Sequence, residues 1–267
     1  MSYVSPISNK QHLVIAENHI KSSYDVAYHL IWRIGTETGF RITDITEIQY
    51  KDIDFSKGVI RIAENKGSKA RKARARLKVL EQVKNELIAA HSSDPAKMMS
   101  VFITPAKEIY PLVTDVMRPL VDKRINDAME AAPEKFRTAK LSKRTLDMLK
   151  ARQEKYRAID DGNVFSRRTL SSNRARNTEG VITRQACWKV FSKLTDVLNG
   201  LGEAIKVGCH SLRKIFARHL YFATDKDIGL LMRTIGHSSP EMSLKYIGIT
   251  QEEELNAQDK LFAYMDC

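Results

Sequence analysis

The amino-acid sequence predicts a mainly α-helical protein that carries a small antiparallel β-sheet. Three observations predict it. Apolar residues recur at helical spacing over most of the length, as do Tyr24, Ala27, Tyr28, Ile31 and Ile34 in "YDVAYHLIWRIGTETGF". The period changes in "DIDFSKGVIRIAENKGSKARKARARLKV", where Val59, Ile60 and Ile62 read as strand between glycine turns. A hydrophobic content of 43% over 267 residues supplies a core for one large domain or two modest ones.

Taken in order, residues 1–21 read as a short lead-in and the first helix runs up to Gly39. "RITDITEI" is a second, short helix with Thr43 as its N-cap. The strand residues follow, in short β-type runs separated by glycine turns that suggest a small antiparallel sheet. Helical spacing returns in "LEQVKNELIAAH", in "LVTDVMRPLVDKRINDAMEAA" with Pro119 as an interruption, and in "LSKRTLDMLKARQEKYRAI". Residues 160–180 turn polar and rich in Gly, Asn, Ser and Arg, which predicts a loop. Three more helices follow: "TRQACWKVFSKLTDVL", "SLRKIFARHLYFA" and "DKDIGLLMRTIG". A last helix fills 249–267, opened by Thr250 and Glu253 at capping-box spacing.

Lysine and arginine number 44 against 32 acidic residues, a formal charge of +12. Such an excess favours a polyanionic partner, nucleic acid first and an anionic membrane surface second. No apolar run is long enough to cross a bilayer, and the N-terminus lacks a signal-peptide pattern. The three cysteines, Cys187, Cys209 and Cys267, form neither a disulfide framework nor a zinc spacing, which fits a reduced, cytoplasmic protein. No carboxylate cluster suited to Mg²⁺ and no glycine-rich phosphate loop is evident, so neither a metal nor another cofactor is expected.

The chemistry-bearing residues crowd into "CHSLRKIFARHLYFATDKDIGLLMRTIGHSSPEMSLKYIG". On a helix, His210 and Arg213 share one face, where an imidazole and a guanidinium suit a phosphate. Taken singly, the residues also have ordinary readings: His210 and Arg213 as helix surface, His237 as a capping group after Gly236, and Tyr246 as a core residue. Their order and spacing favour the phosphate.

"HSLR" followed by "IGHSSPEMSLKY" resembles the His-x-x-Arg, Leu-Gly-His and nucleophilic tyrosine signature of the tyrosine recombinase (phage integrase) family, with Ile235 in place of the leucine. "TGFRITDI" supplies the family's upstream arginine and acidic residue as Arg41 and Asp44. The resemblance covers residues 22–248, the catalytic domain, and implies a tyrosine-recombinase catalytic-domain-like fold. It implies that Tyr246 attacks a phosphodiester to give a 3′-phosphotyrosine, and that Arg41 and Arg213 stabilise the charge on phosphate. His210 and His237 donate to the phosphate, with His210 also suited to accept the phenol proton. Asp44 is implied as a buttress. The family's hairpin lysine, a general acid, corresponds to Lys66, with Lys69 as competitor.

Lys69, Arg71, Lys72, Arg167, Arg168, Arg174 and Arg176 are expected contacts to backbone phosphates. The separate helical domain that commonly precedes the family's catalytic domain has no counterpart in the first twenty residues. A helical insert at about 95–158 is expected instead, with the basic run "KFRTAKLSKRTLDMLKARQEKYR". The implied partner is double-stranded DNA bearing paired sites, bound by a homo-tetramer, with room for accessory proteins and with the C-terminal helix exchanged between protomers or packed in cis. A bacterial, phage or plasmid origin follows, with plasmid multimer resolution or integration and excision as settings. The alternatives are a catalytically silent DNA-binding relative, and a topoisomerase-like or telomere-resolving variant of the same chemistry.

Overall fold

A computed structural model describes residues 4–170, 179–202, 204–249 and 251–265, with the side chains of 65, 66, 251, 252 and 254 outside that description. The helices are α1 (Lys10–Ser23), α2 (Val26–Thr38), α3 (Ile42–Thr46), α4 (Asn65–Ala90), α5 (Pro95–Ile103), α6 (Arg118–Glu130) and α7 (Lys143–Tyr156). They continue with α8 (Arg184–Asn199), α9 (Cys209–Ala223), α10 (Ile228–Ile235), α11 (Pro240–Ile247) and α12 (Gln251–Met265). Strands β1 (Ile53–Asp54), β2 (Val59–Ala63) and β3 (Phe136–Lys140) form one sheet in that order. β1 and β2 are antiparallel, with Ile53 opposite Ile60. The expected class, mainly helical with a small sheet, is the one found.

The chain forms two compact units, Met1–Ile62 with Thr138–Cys267, and Ala63–Arg137. In the first, α2 is the central helix. Asp25 caps its N-terminus, accepting from the Ala27 amide, and its apolar stripe buries Ala27, Leu30, Ile31 and Ile34 completely. Trp32 packs against Phe191 of α8 with ring centroids 5.8 Å apart. A smaller cluster of Ala217, Leu231, Ile235 and Ile247 joins α9, α10 and α11.

The second unit is built on α4. Its C-terminal half buries Val79, Leu80, Val83 and Leu87 against Val101, Ile109, Val113, Val121 and Ile125. Between Gly67 and Lys78 no residue of α4 is buried.

Several expectations change. The hairpin expected after Val59 stops at Ala63, and "NKGSKARKARARLKVL" is helix. Ala, Lys and Arg are good helix formers, and the buried side chains that follow at helical spacing extend the helix. The second unit therefore leaves the sheet after β2 and ends at β3, spanning 63–137 where an insert at 95–158 was expected; α7 belongs to the first unit. Pro119 opens α6 instead of interrupting a helix. The lead-in contains α1, whose Ala16 and Ile20 are fully buried beside Ile7. α3 begins at the Arg41 cap, placing Thr43 inside the first turn. Thr250 lies outside the described residues.

Candidate active site

α9 carries two of the expected residues near its start. Its apolar side, with Leu212, Ile215 and Ala217 buried, packs toward α2, so His210 and Arg213 face the ends of neighbouring helices. Arg213 is 2% exposed. Its Nη1 donates to the Gly39 carbonyl and its Nη2 to the Ile235 carbonyl, each at 2.6 Å. Both acceptors belong to helix C-termini, where carbonyls lack intrahelical partners and a cation is favoured. One buried guanidinium thus ties the end of α2, two residues before Arg41, to the end of α10, two residues before His237.

Gly39 allows the first of these junctions. Its φ is +64°, and a Cβ there would lie 2.3 Å from a Phe216 ring carbon of α9. Only glycine takes that backbone conformation and that proximity without strain. Gly236 ends α10 in the same left-handed region (φ 76°).

Tyr246 lies one residue from the end of α11. Its hydroxyl is 2.6 Å from His210 Nε2, and the two rings meet edge to face at 5.2 Å between centroids. The His237 ring lies 4.5 Å from the Tyr246 ring, and its Nδ1 is 3.0 Å from the Ser243 hydroxyl on the same α11. The Arg213 guanidinium carbon is 5.9 Å from the centre of the Tyr246 ring. Three cation-capable side chains, two from α9 and one from the turn after α10, therefore converge on one phenol.

Part of the His210 ring is open to solvent, yet packing around the ring pushes its pKa down to about 4. The charges of Arg213, Lys214, Arg184 and Arg41 add to that effect. This imidazole is neutral at neutral pH. With its proton on Nδ1, Nε2 accepts a hydrogen bond from the phenol. The shift also brings Arg41, the half-buried N-cap of α3, within electrostatic range of the site. Asp44 is 3% exposed in the first turn of α3, where the helix dipole favours a carboxylate.

Arg41, His210, Arg213, His237 and Tyr246 are brought together in the first unit. Lys66, Lys69, Arg71 and Lys72 lie in the first two turns of α4 in the second unit, on a helix and not at a hairpin turn. The Lys66 side chain, like Arg174 and Arg176, is outside the described residues. Arg167 and Arg168 occupy a short turn, and Arg168 is paired with Glu179 at 2.5 Å. Sequence reasoning missed Arg184 and Lys214, whose charges act on His210, and Arg218. Lys214 directly follows Arg213 in the motif and carried a signal; Arg184, 26 residues upstream, carried none. Cys187 and Cys209 are buried, which pushes their thiols up to about 12 and about 11, so both are inert at neutral pH. Among the described residues no group of three or more His, Cys, Asp or Glu side chains is placed to hold a metal ion.

Comparison with known proteins shows what the chain is similar to. The phage integrase family matches residues 7–135, which include Arg41 and stop short of α9. A probable integrase/recombinase, YoeC of Bacillus subtilis (strain 168), is 46% identical over 57 residues, 21% of this chain and 30% of that protein. The crystal structure of XerA recombinase superposes with a TM-score of 0.55 at 13% identity, over 97% of this chain and 66% of that one. The Tn1549 transposon integrase in complex with a circular intermediate DNA gives 0.51 at 14% identity, over 98% of this chain and 67% of that one. The chain thus spans less than a third of the curated relative and about two thirds of the structural ones. The chain is thus similar to the phage integrase family over just under half of its length and to the curated integrase/recombinase over a fifth of it, and it shares the fold of the two solved recombinase structures.

Proposed function

We propose that the protein breaks and rejoins DNA strands at specific sites through a 3′-phosphotyrosine on Tyr246. The observation that carries this reading is the 2.6 Å bond from the Tyr246 hydroxyl to a histidine held neutral, with His237 and Arg213 against the same ring. The phenol oxygen attacks phosphorus, the bond from phosphorus to the 5′ oxygen breaks, and a tyrosyl phosphodiester replaces the strand bond. The phenol proton passes to His210 Nε2. A free phenol titrates near pH ~10, so a neutral acceptor in contact is what the attack requires.

Arg41 and His237 are the donors available to the non-bridging oxygens. Arg213 holds the two helix ends in register through its carbonyl bonds and lends its charge from beneath the tyrosine ring. Asp44 steadies α3 and so Arg41. The family pattern gives the proton for the leaving 5′ oxygen to a lysine following β2. Lys66 and Lys69 are the candidates, one turn apart on α4. The reverse attack by a 5′ hydroxyl restores the phosphodiester and needs no external energy source.

Duplex DNA is the proposed partner, gripped in part by α4. Between Asn65 and Leu80 the sequence carries seven cations and no carboxylate. Lys69, Lys72, Arg74, Arg76 and Lys78 have no ion-pair partner among the described residues. Such cations are suited to backbone phosphates, which position a duplex without reading its sequence. Arg167 and Arg168 are further candidates, Arg168 after release from Glu179. A tetramer on paired sites and a role in resolving plasmid multimers or in moving a mobile element complete the reading.

The test uses duplexes retained by the protein from a randomised pool, nicked at successive positions near the bound site. The expected result is a denaturation-resistant protein–DNA adduct that disappears in Tyr246→Phe while DNA retention persists. An adduct of equal yield in Tyr246→Phe contradicts the assignment. DNA retention without any adduct favours a silent DNA-binding relative.

A further inference from the structure

We infer that Arg218 is a positioning residue for the nucleophile, acting through the turn that follows Tyr246. The inference rests on the reading of Tyr246 as the attacking group. Arg218 lies on α9 five residues beyond Arg213 and is 5% exposed. Its Nη1 donates to the carbonyls of Ile247 at 3.0 Å and Gly248 at 2.8 Å, and its Nη2 bonds the Glu253 carboxylate at the start of α12. The two carbonyls belong to the residues immediately after the tyrosine. They are among the acceptors that the end of α11 leaves without intrahelical partners. A guanidinium is the one side chain able to reach both of them and still engage a carboxylate through its second nitrogen.

The same turn is braced from another direction. Gly248 has φ +60°, and a Cβ there would meet Pro6 at 3.1 Å and 3.2 Å. Pro6 is itself held: Ser5 N–H donates to the Lys206 carbonyl at 3.0 Å, and Lys214 Nζ donates to the Val4 carbonyl at 2.7 Å. The His219 ring nitrogen lies 3.0 Å from the Ile7 carbonyl. The turn after Tyr246 is therefore fixed by hydrogen bonds from α9 and by packing against the segment Val4–Ile7. α9 thereby carries both the base candidate, His210, and the clamp that sets where the phenol sits. A phenol oxygen displaced by an ångström gives up both its 2.6 Å hydrogen bond and its line of attack.

The experiment compares wild type with Arg218→Gln, Arg218→Lys and Gly248→Ala, and uses Arg152→Gln as the control for removal of a buried guanidinium. Arg152 is 4% exposed and donates to the Val164 carbonyl at 2.9 Å, in a loop that carries none of the five converging residues. Two readouts are taken well below each variant's unfolding temperature: amide hydrogen exchange over residues 240–249, and the single-turnover rate of adduct formation on the nicked duplex at saturating protein. Arg218→Gln is expected to speed local exchange and slow adduct formation roughly tenfold or more, with DNA affinity within about twofold of wild type. Arg218→Lys, which keeps a donor, recovers part of the rate. Gly248→Ala shows the same split between rate and affinity, and Arg152→Gln does not.

Unchanged exchange over 240–249 in Arg218→Gln overturns the inference, as does faster exchange with an unchanged adduct rate. If Arg218→Gln does not fold, Gly248→Ala decides by the same two criteria. A wild-type protein that forms no adduct removes the nucleophile reading, and the inference with it. A competent wild type with indifferent variants removes the inference alone.

Discussion

His210 shows how surroundings set what one side chain can do. The same imidazole in water titrates near ~6.5 and is partly charged at neutral pH. Beside Tyr246 it stays partly open to solvent, but packing around the ring, and then the charges of Arg213, Lys214, Arg184 and Arg41, hold its pKa at about 4. NMR titration of the DNA-free protein should show the His210 ring resonances unmoved from pH 7.5 to pH 5 and shifting near pH 4. A midpoint at 6 or above contradicts this account of the base. The sign for stability follows. Below about pH 6.5 the unfolded chain takes up a proton that folded His210 refuses, so this group withdraws stability as pH falls toward 4 and adds no pH dependence above neutrality. His210, Arg213, His237 and Tyr246 were legible because their spacings fall within one stretch of 37 residues. Arg218 was not, since its acceptors are backbone carbonyls that any residue supplies.

At the scale of elements, polar networks complement the apolar core. Arg33 of α2 donates to Glu17 of α1 at 2.8 Å, to Glu37 at 2.6 Å and to Thr145 of α7 at 2.8 Å. Glu37 in turn accepts from the Ser142 amide that opens α7. The bond to His29, with the help of Arg33, holds the Glu17 carboxyl at about 2. A depressed carboxyl gives stability that is fully present above its unfolded pKa, near ~4.5, and is lost as pH falls toward 2. Urea midpoints should therefore fall between pH 4.5 and pH 2, and Glu17→Gln should be less stable at pH 6 with a flatter acid slope. An acid slope identical to wild type in that variant would show that Glu17 does not link α1 to α2.

Helices with an apolar stripe were legible as elements, α2 and α8 among them, because their cores follow a helical period. The sequence pattern divides α4 into hairpin and helix, since its first half buries nothing and its Lys/Arg/Ala run has no apolar period. β3, "FRTAK", is largely polar and carries no strand signal; it joins the sheet through its place beside β2.

For the whole molecule, the helical period and its change at Val59, Ile60 and Ile62 carried the fold class, while the position of the second unit could not be read. A stretch that leaves the sheet after β2 and ends at β3 places its basic segment, Lys69 to Lys78, at the start of a long helix. Replacing Lys69, Lys72, Arg74 and Arg76 with glutamine should weaken duplex binding. The slope of log affinity against log salt should fall by about 0.9 for each phosphate that the variant no longer neutralises. Unchanged affinity and slope would leave that face as solvated charge. The central claim concerns one oxygen atom, and peptide mapping of the covalent complex tests it most directly. After nuclease and trypsin digestion, the fragment 246–260, whose sole tyrosine is Tyr246, should carry the nucleotide as a tyrosyl phosphodiester. A nucleotide found on any other residue, or a covalent complex with that fragment unmodified, would contradict the account.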